Sequence, residues 1–350
     1  MRSKSLNGGE PKAMKMKLWP DDWAPKPNIS ISTMKTYLEC PRKFWYSNAP
    51  NEVKRQFQRQ YKLERNLTSD NMLVGQIVDE VIKGDLKLYR AIRDWTSDLH
   101  HAGQGVLKEI LKCSEEYLRV RDNKDARIPF EDHNPLERIY YGEDYSPIEL
   151  DAKMNQVNRC LDIYAKSGFR EFMEVHWEYE WQIPLPVTKR PVPWYFVGNM
   201  PVYASFDFIM YRPDHGYVID WKTGKRTEAS MKSAREQLHL YAGFLNTEWN
   251  VPLDNIHVGA VWLQESGMPE FEPTDVSFLN DIYRNLRDHF AIIETKFEEG
   301  TAAELLGARI FPMTDNDRFC RYCQYRSCSG YKKAIQKRRE YDEMVAPDEE

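Results

Sequence analysis

The sequence predicts a mixed α/β fold on a central mixed sheet, and three stretches carry that prediction. Residues 202–211 and 216–222 alternate along their length around a turn of Arg212-Pro213-Asp214-His215, the pattern of a β-hairpin. Residues 256–263, Ile-His-Val-Gly-Ala-Val-Trp-Leu, form a nearly unbroken apolar run, as expected of a buried strand. Between them residues 228–245 read as a helix, so strand, helix and strand succeed one another as in a layered α/β core.

The remaining elements follow in chain order. Residues 1–28 contain Pro11, Pro20, Pro25 and Pro27 and read as a loosely structured segment. Ile31-Ser32-Thr33 offers a cap for a helix through Met34, Tyr37 and Leu38 to Cys40 and on to Tyr46. A second helix covers 73–82. From about Leu86 to Phe172, sets such as Val106, Leu107, Ile110, Leu111 and Met154, Val157, Leu161, Tyr164 recur at helical spacing. This reads as a helical lobe inserted into a single domain of residues 29–330. From Glu174 the period becomes two, with Val175, Trp177, Tyr179, Trp181 and Ile183 on one face and Glu174, His176, Glu178, Glu180 and Gln182 on the other. That is the expectation of a strand with an acidic face. Helical character returns from Asp275 to about Glu299, and residues 331–350 form a charged tail read as a frayed helix.

At 350 residues, with 41% hydrophobic and 29% charged side chains, the composition is that of a soluble globular protein. The absence of an apolar run of about 18 residues, and of an apolar segment within residues 1–20, gives the expectation of a cytoplasmic protein without a membrane span. A net charge of −5 argues against a surface coated in basic residues, so contact with nucleic acid would use local patches. One candidate is Lys54, Arg55, Arg59, Lys62 and Arg65, interleaved with Phe57 and Tyr61; another is Lys222, Lys225 and Arg226. Aromatic rings in a basic groove suit single strands, because bases stack on them irrespective of sequence.

The hairpin carries the chemistry. If Tyr211 faces Gly216 across the turn, Asp207 faces Asp220, and period two puts Lys222 on the face of Asp220. Opposed like charges destabilise a sheet unless a cation lies between them. Two carboxylates and an ammonium converging on one point suit metal-assisted hydrolysis of a phosphodiester. Glu178, ahead of Glu180, is a candidate additional carboxylate from the preceding strand. Gln237 and Tyr241, four apart, project from one face of the following helix. Cys320, Cys323 and Cys328 place three thiols within nine residues, a metal-binding pattern that needs a fourth ligand from elsewhere. Cys113 and Cys160 match no motif and read as buried small hydrophobes.

These pieces, in order, resemble the RecB-type branch of the PD-(D/E)XK nucleases: residues 198–207, then Asp220-Trp221-Lys222-Thr223-Gly224-Lys225, then Gln237 to Tyr241. Ser32 through Tyr46, with Cys40-Pro41-Arg42, and the triplet Cys320, Cys323, Cys328 resemble the cysteine segments of its iron-sulfur subgroup, which includes AddB-type and CRISPR-adaptation nucleases. The resemblance implies a restriction-endonuclease-like core whose N- and C-terminal segments are stapled by a [4Fe-4S] cluster on Cys40, Cys320, Cys323 and Cys328. In the chain-entropy model such a tie is worth on the order of 5 kcal/mol. It implies Mg²⁺ or Mn²⁺, one or two ions, on Asp207, Asp220 and the Trp221 backbone carbonyl, with Lys222 orienting water and Gln237 and Tyr241 supporting the site and touching the nucleic acid. DNA, single-stranded or frayed, is the implied partner, cut as by an exonuclease; a helicase or a recombination or adaptation complex is a further implied partner. Lys225, Arg226, Arg55 and Arg59 are the candidate DNA contacts. The family's usual histidine, four residues after the helix glycine, falls on Asp79, a hard oxygen ligand that favours Mg²⁺. The Cys323 to Cys328 spacing is one residue shorter than usual, which keeps zinc as a competitor. The alternative is a catalytically weak, nuclease-like DNA-binding or assembly subunit.

Overall fold

The computed structural model describes residues 28–49, 59–123, 125–128, 133–183, 194–265, 268, 270–299 and 310–345. Among them, a five-stranded sheet runs in the order β1-β4-β5-β6-β7: β1 (Glu180–Gln182), β4 (Phe208–Arg212), β5 (His215–Lys222), β6 (Ile256–Trp262) and β7 (Glu272–Pro273). β2 (Trp194–Val197) and β3 (Met200–Tyr203) pair separately. In the main sheet β5 and β6 are parallel and every other pair is antiparallel, so the sheet is mixed.

Helices lie on both faces. α1 (Ile31–Glu39), α2 (Pro41–Asn48), α9 (Glu228–Trp249) and α10 (Val276–Glu299) share a core with Ile209, Val218 and Val258. α4 (Leu73–Ile92), α5 (Leu99–Asp122), α7 (Pro147–Ala165) and α8 (Phe169–Val175) cover the other face over Phe208, Met210, Ile219 and Trp221. Two short helices, α3 (Arg59–Glu64) and α6 (Glu137–Tyr140), flank α5, while α11 (Asp317–Arg321) and α12 (Ser329–Val345) close the described chain. α9 is the parallel crossover from β5 to β6. It seats against the sheet because position 216 is glycine: a Cβ there would lie 2.6 Å from Leu245 Cδ2.

The hairpin register is the expected one, Tyr211 opposite Gly216 and Phe208 opposite Ile219. Burial of Phe208 through Tyr211 on both faces accords with the apolar runs. Three expectations are corrected. The arm from 202 to 211 is not one strand: the chain at Ile29 pairs with β3, Tyr203 N–H donating to Ile29 O at 2.9 Å, so β3 is drawn off and the main strand begins only at Phe208. The stretch 174–183 is not a two-faced strand. Phe169 and Met173 bury one helical face, the helix runs to Val175, and Val175 and Trp177 are 75% and 60% exposed; only Glu180–Gln182 is strand. The first helix is two, because Cys40, preceding Pro41, is held extended at φ −160°.

Among the described residues no helix is long and apolar enough to cross a membrane. Residues 1–27 and 346–350 lie outside the described residues.

Candidate active site

Asp207 is the residue just before β4, and the ladder puts it level with Asp220 near the end of β5. Trp221 N–H donates to Asp207 Oδ2 at 2.9 Å, so the backbone of one arm fixes the carboxylate of the other. The N–H and C=O of a strand residue point to the same edge, so the Trp221 carbonyl also faces Asp207, past the end of β4. The Trp221 ring lies on the opposite face, edge-on to Phe169 and Tyr164 at centroid distances of 4.9 and 5.9 Å. Asp220 is 3% exposed and ion-paired with Lys222, whose Nζ also donates to Gln237 Oε1 at 3.0 Å. Gln237 thus holds the ammonium from α9. Tyr241, one turn on, is buried, and burial followed by the charges of Asp220 and Asp207 raises its phenol well above the ordinary range.

Asp79 arrives from the other layer. α4 approaches the end of β5 so closely that a Cβ on Gly75 would sit 3.2 Å from Thr223 Oγ1. One turn further on, Asp79 forms an ion pair with Lys83, while its buried Oδ1 has no hydrogen-bond partner among the described residues. Burial, opposed by Lys83, leaves its carboxyl above the usual range, and the charge of Asp220 contributes to that shift. Burial pushes the Asp207 carboxyl well above the ordinary value, with the Asp220 and Asp79 charges adding to it and the Trp221 N–H partly offsetting it. Burial alone would lower the Lys222 ammonium, but Asp220 and Asp207 more than offset this and leave it raised.

Three carboxylates from two layers therefore share one electrostatic neighbourhood at the open end of β4, with Asp79 Oδ1 left without a partner among the described residues. An all-oxygen donor set of this kind fits a hard divalent cation. Among the described residues no three His, Cys, Asp or Glu side chains close around a single point, Asp79 being paired with Lys83 and Asp220 with Lys222.

The profile of the PD-(D/E)XK nuclease superfamily matches residues 28–328, which takes in the hairpin, both helices of the site and all four clustered cysteines. The chain belongs to this superfamily. No curated protein matches it. The mixed sheet between two helical layers is the arrangement the superfamily leads one to expect, and membership carries with it metal-dependent phosphodiester hydrolysis as the class of chemistry.

Other expected residues of this PD-(D/E)XK chain fall elsewhere. Glu178 is exposed in the turn before β1, and the β1–β4 register puts it level with Pro213 at the far end of the hairpin. That is roughly 20 Å along the strand from Asp207. Glu180 instead accepts from Tyr211 Oη at 3.1 Å. Neither is a ligand of this site; the assignment fails because the acidic strand on which it rested is mostly helix and turn. Arg59 is not a free cation for DNA: its guanidinium donates to the carbonyls of Val120, Asn123 and Ala126 around the C-terminal end of α5. Arg55, with Lys54 and Phe57, lies outside the described residues. Lys225 and Arg226 are exposed on the loop after β5, where Arg226 Nε meets Met231 Sδ at 3.2 Å.

Cys40, Cys320, Cys323 and Cys328 line one pocket together with Met313. Cys40 caps α2, its sulfur accepting from Lys43 N–H at 3.4 Å, and Cys328 Sγ lies 3.6 Å from Met313 Sδ. Burial, reinforced by Cys40 and Cys328, raises the Cys320 thiol, and burial pushes Cys323 up to about 12. The four thiols share this pocket, but among the described residues no three of them close around a single point. Cys113 and Cys160 are buried elsewhere.

Sequence reasoning missed Glu64. Fully buried, it accepts from Ser327 N–H at 3.0 Å, from Ser327 Oγ and from Tyr141 Oη at 2.7 Å, bolting the segment that carries Cys328 to the helical layer. Gln324 Nε2 adds bonds to the carbonyls of Glu64 and Arg65 at 3.1 and 3.0 Å. A lone glutamate beside Leu63 carries no local signal of this role.

Proposed function

We propose that this chain is a Mg²⁺- or Mn²⁺-dependent deoxyribonuclease that works as an exonuclease on single-stranded or frayed DNA ends. The observation that supports this most is the meeting of Asp207 and Asp220 across the hairpin with Lys222 beside them. Asp207, Asp220, Asp79 and the Trp221 carbonyl would hold the cation. When bound, it supplies Lewis-acid stabilisation of the phosphate oxygens and makes water a better nucleophile. The Trp221 N–H keeps Asp207 in place. Lys222, steadied by Gln237, orients the attacking water and offsets charge growing on the phosphate. Lys225 and Arg226 supply positive charge at the rim. Incubation of end-labelled single strands and duplexes with Mg²⁺, Mn²⁺ or EDTA tests this reading: metal-dependent shortening from an end is expected, and products of internal cutting alone would remove the exonuclease assignment.

Asp79 separates this reading from a nuclease-like binding or assembly subunit. The Asp79–Lys83 ion pair favours the second reading, because it engages the carboxylate that would complete the ligand set. Under the nuclease reading Asp79→Ala lowers cleavage roughly 10–100-fold at limiting Mn²⁺. Unchanged cleavage would remove Asp79 from the ligands, and no product from the wild type with either metal would favour the binding subunit. A motor-coupled assembly would need its ATPase on another chain, since this sequence has no G-x-x-x-x-G-K-[ST] stretch.

The four cysteines are assigned to a [4Fe-4S] cluster, with zinc as the competing occupant. Support comes from their common pocket. Cys323→Ala is expected to lower Tm and to abolish the visible absorbance of protein purified without oxygen. A colourless wild type holding one zinc and no iron would replace the cluster with a zinc site.

A further inference from the structure

The sheet face that carries Asp220 and Lys222 continues onto the next strand, and a cavity lies against that continuation. Residues opposed across a ladder share a face; on β6, Ala260 is level with Asp220 and Trp262 with Lys222, one strand spacing of about 4.8 Å away. Ala260 and Trp262, with Met231 and Leu238 of α9, wall a cavity of about 310 Å³. That is the lower end of the roughly 300–1,000 Å³ typical of small-ligand pockets. None of the roles above uses this space.

The cavity exists because the edge of β6 is only half covered. β7 pairs with His257 and Val258 and goes no further, so Gly259 to Trp262 have no strand on that side among the described residues. Small residues at Ala234, Gly259 and Ala260 keep the space open between strand and helix.

The charged groups at its mouth divide into spent and unspent. Arg235 is ion-paired with Glu272 and Asp275 at 3.0 and 3.3 Å and lies 4.3 Å over the Phe278 ring. Arg226 and Glu270, both exposed, have no ion-pair partner among the described residues. Arg226 rests its Nε on Met231 Sδ, which leaves both terminal NH₂ groups for a ligand. An apolar slot with one free guanidinium and one free carboxylate at its mouth discriminates among flat heterocycles. Guanine offers two adjacent acceptors, O6 and N7, which a guanidinium takes bidentately. On its other edge N1–H and the N2 amine are two adjacent donors that match the two oxygens of a carboxylate. Adenine sets a donor beside its N7, and the pyrimidines have no N7.

We propose that this cavity is a guanine pocket, which receives the base of a nucleotide flanking the cleaved bond. The proposal rests on the nuclease reading above and gives that activity a sequence preference. Arg226 donates to O6 and N7, Glu270 accepts from N1–H and the N2 amine, and the ring lies among Trp262, Leu238 and Met231. Trp262 ties the pocket to the chemistry, since its ladder partner is Lys222.

The test uses the full chain and fluorescent thymine strands that carry a single guanine, adenine, hypoxanthine or 7-deazaguanine. Affinity is read in EDTA by anisotropy, and cleavage in Mn²⁺ from the product ladder. The guanine strand is expected to bind roughly tenfold more tightly than the adenine or all-thymine strand, and to be cut fastest at one fixed distance from the guanine. Hypoxanthine lacks the N2 amine and 7-deazaguanine lacks N7, so each should forfeit much of that gain. Glu270→Gln should bring guanine to within about twofold of thymine and make the guanine and hypoxanthine strands equal. Arg226→Ala, which weakens every strand, should make the guanine and 7-deazaguanine strands equal. A purely structural role for either residue would not match each variant to one atom of the base. Equal affinity for guanine, adenine and thymine strands, or a hypoxanthine penalty that persists in Glu270→Gln, overturns the pocket. Absence of wild-type cleavage with any metal defeats the nuclease reading instead, and the EDTA affinities then decide the pocket alone.

Discussion

Asp207→Asn is expected to leave a folded protein that cuts DNA on the order of 10³-fold more slowly. An asparagine oxygen can still accept from Trp221 N–H, so the hairpin end keeps its hydrogen bond. What disappears is a negative charge held among those of Asp220 and Asp79. Without metal that charge is a liability, since burial and two neighbouring carboxylates raise its pKa. The native state keeps a proton that the unfolded chain has lost, so over the window between the ordinary carboxylate range and the raised folded value, stability falls as pH rises. The variant should therefore match or exceed the wild type in metal-free Tm, flatten that pH slope, and lose both cleavage and the Tm gain from Mn²⁺. Thermal melts from pH 4 to 8 with and without Mn²⁺, alongside single-strand digestion, check all three. Near-normal cleavage would remove Asp207 from the centre of the chemistry.

Glu64→Ala should cause the largest loss of stability among single substitutions at the cysteine segment, about 3 kcal/mol or more. It strands two donors, Ser327 N–H and Ser327 Oγ, each costing roughly 1–3 kcal/mol when left buried and unpaired, while Tyr141 Oη keeps Gln324 O at 2.8 Å as its acceptor. For a chain of this size that corresponds to a fall in Tm of roughly 4 °C or more. Burial raises the Glu64 carboxyl while its hydrogen bonds pull it back, so the wild-type protein already carries a cost here. Glu64→Gln, which keeps an acceptor of the same shape, should recover much of the loss. Calorimetry of the three proteins decides: equal melting temperatures for the alanine and glutamine variants would mean that the side chain acts by filling space alone.

The parts of the molecule that local pattern could reach are those with one strong periodicity. Counting residues around the turn at 212–215 sufficed to place Asp207 opposite Asp220, because the side-chain period of a strand is two and the ladder keeps one register from Arg212 to Phe208. The helix carrying Gln237 and Tyr241 and the strand at 256–262 were equally legible. The stretch 174–183 was not. Its alternation satisfied a strand, but Phe169, Phe172 and Met173 gave the preceding residues a helical face to bury, and tertiary packing decided between the two periods. Arg59 and Glu64 were illegible for a different reason. Each is defined by partners more than 60 or 250 positions away, helix-end carbonyls in one case and Ser327 in the other, and no local spacing records such contacts.

α1 begins at Ser30 and ends at Cys40, which also starts α2. Nine residues of helix make a stiff rod of about 14 Å. A displacement of Cys40 along such a rod would be passed to its other tip, where Ser30 caps the helix, rather than absorbed between them.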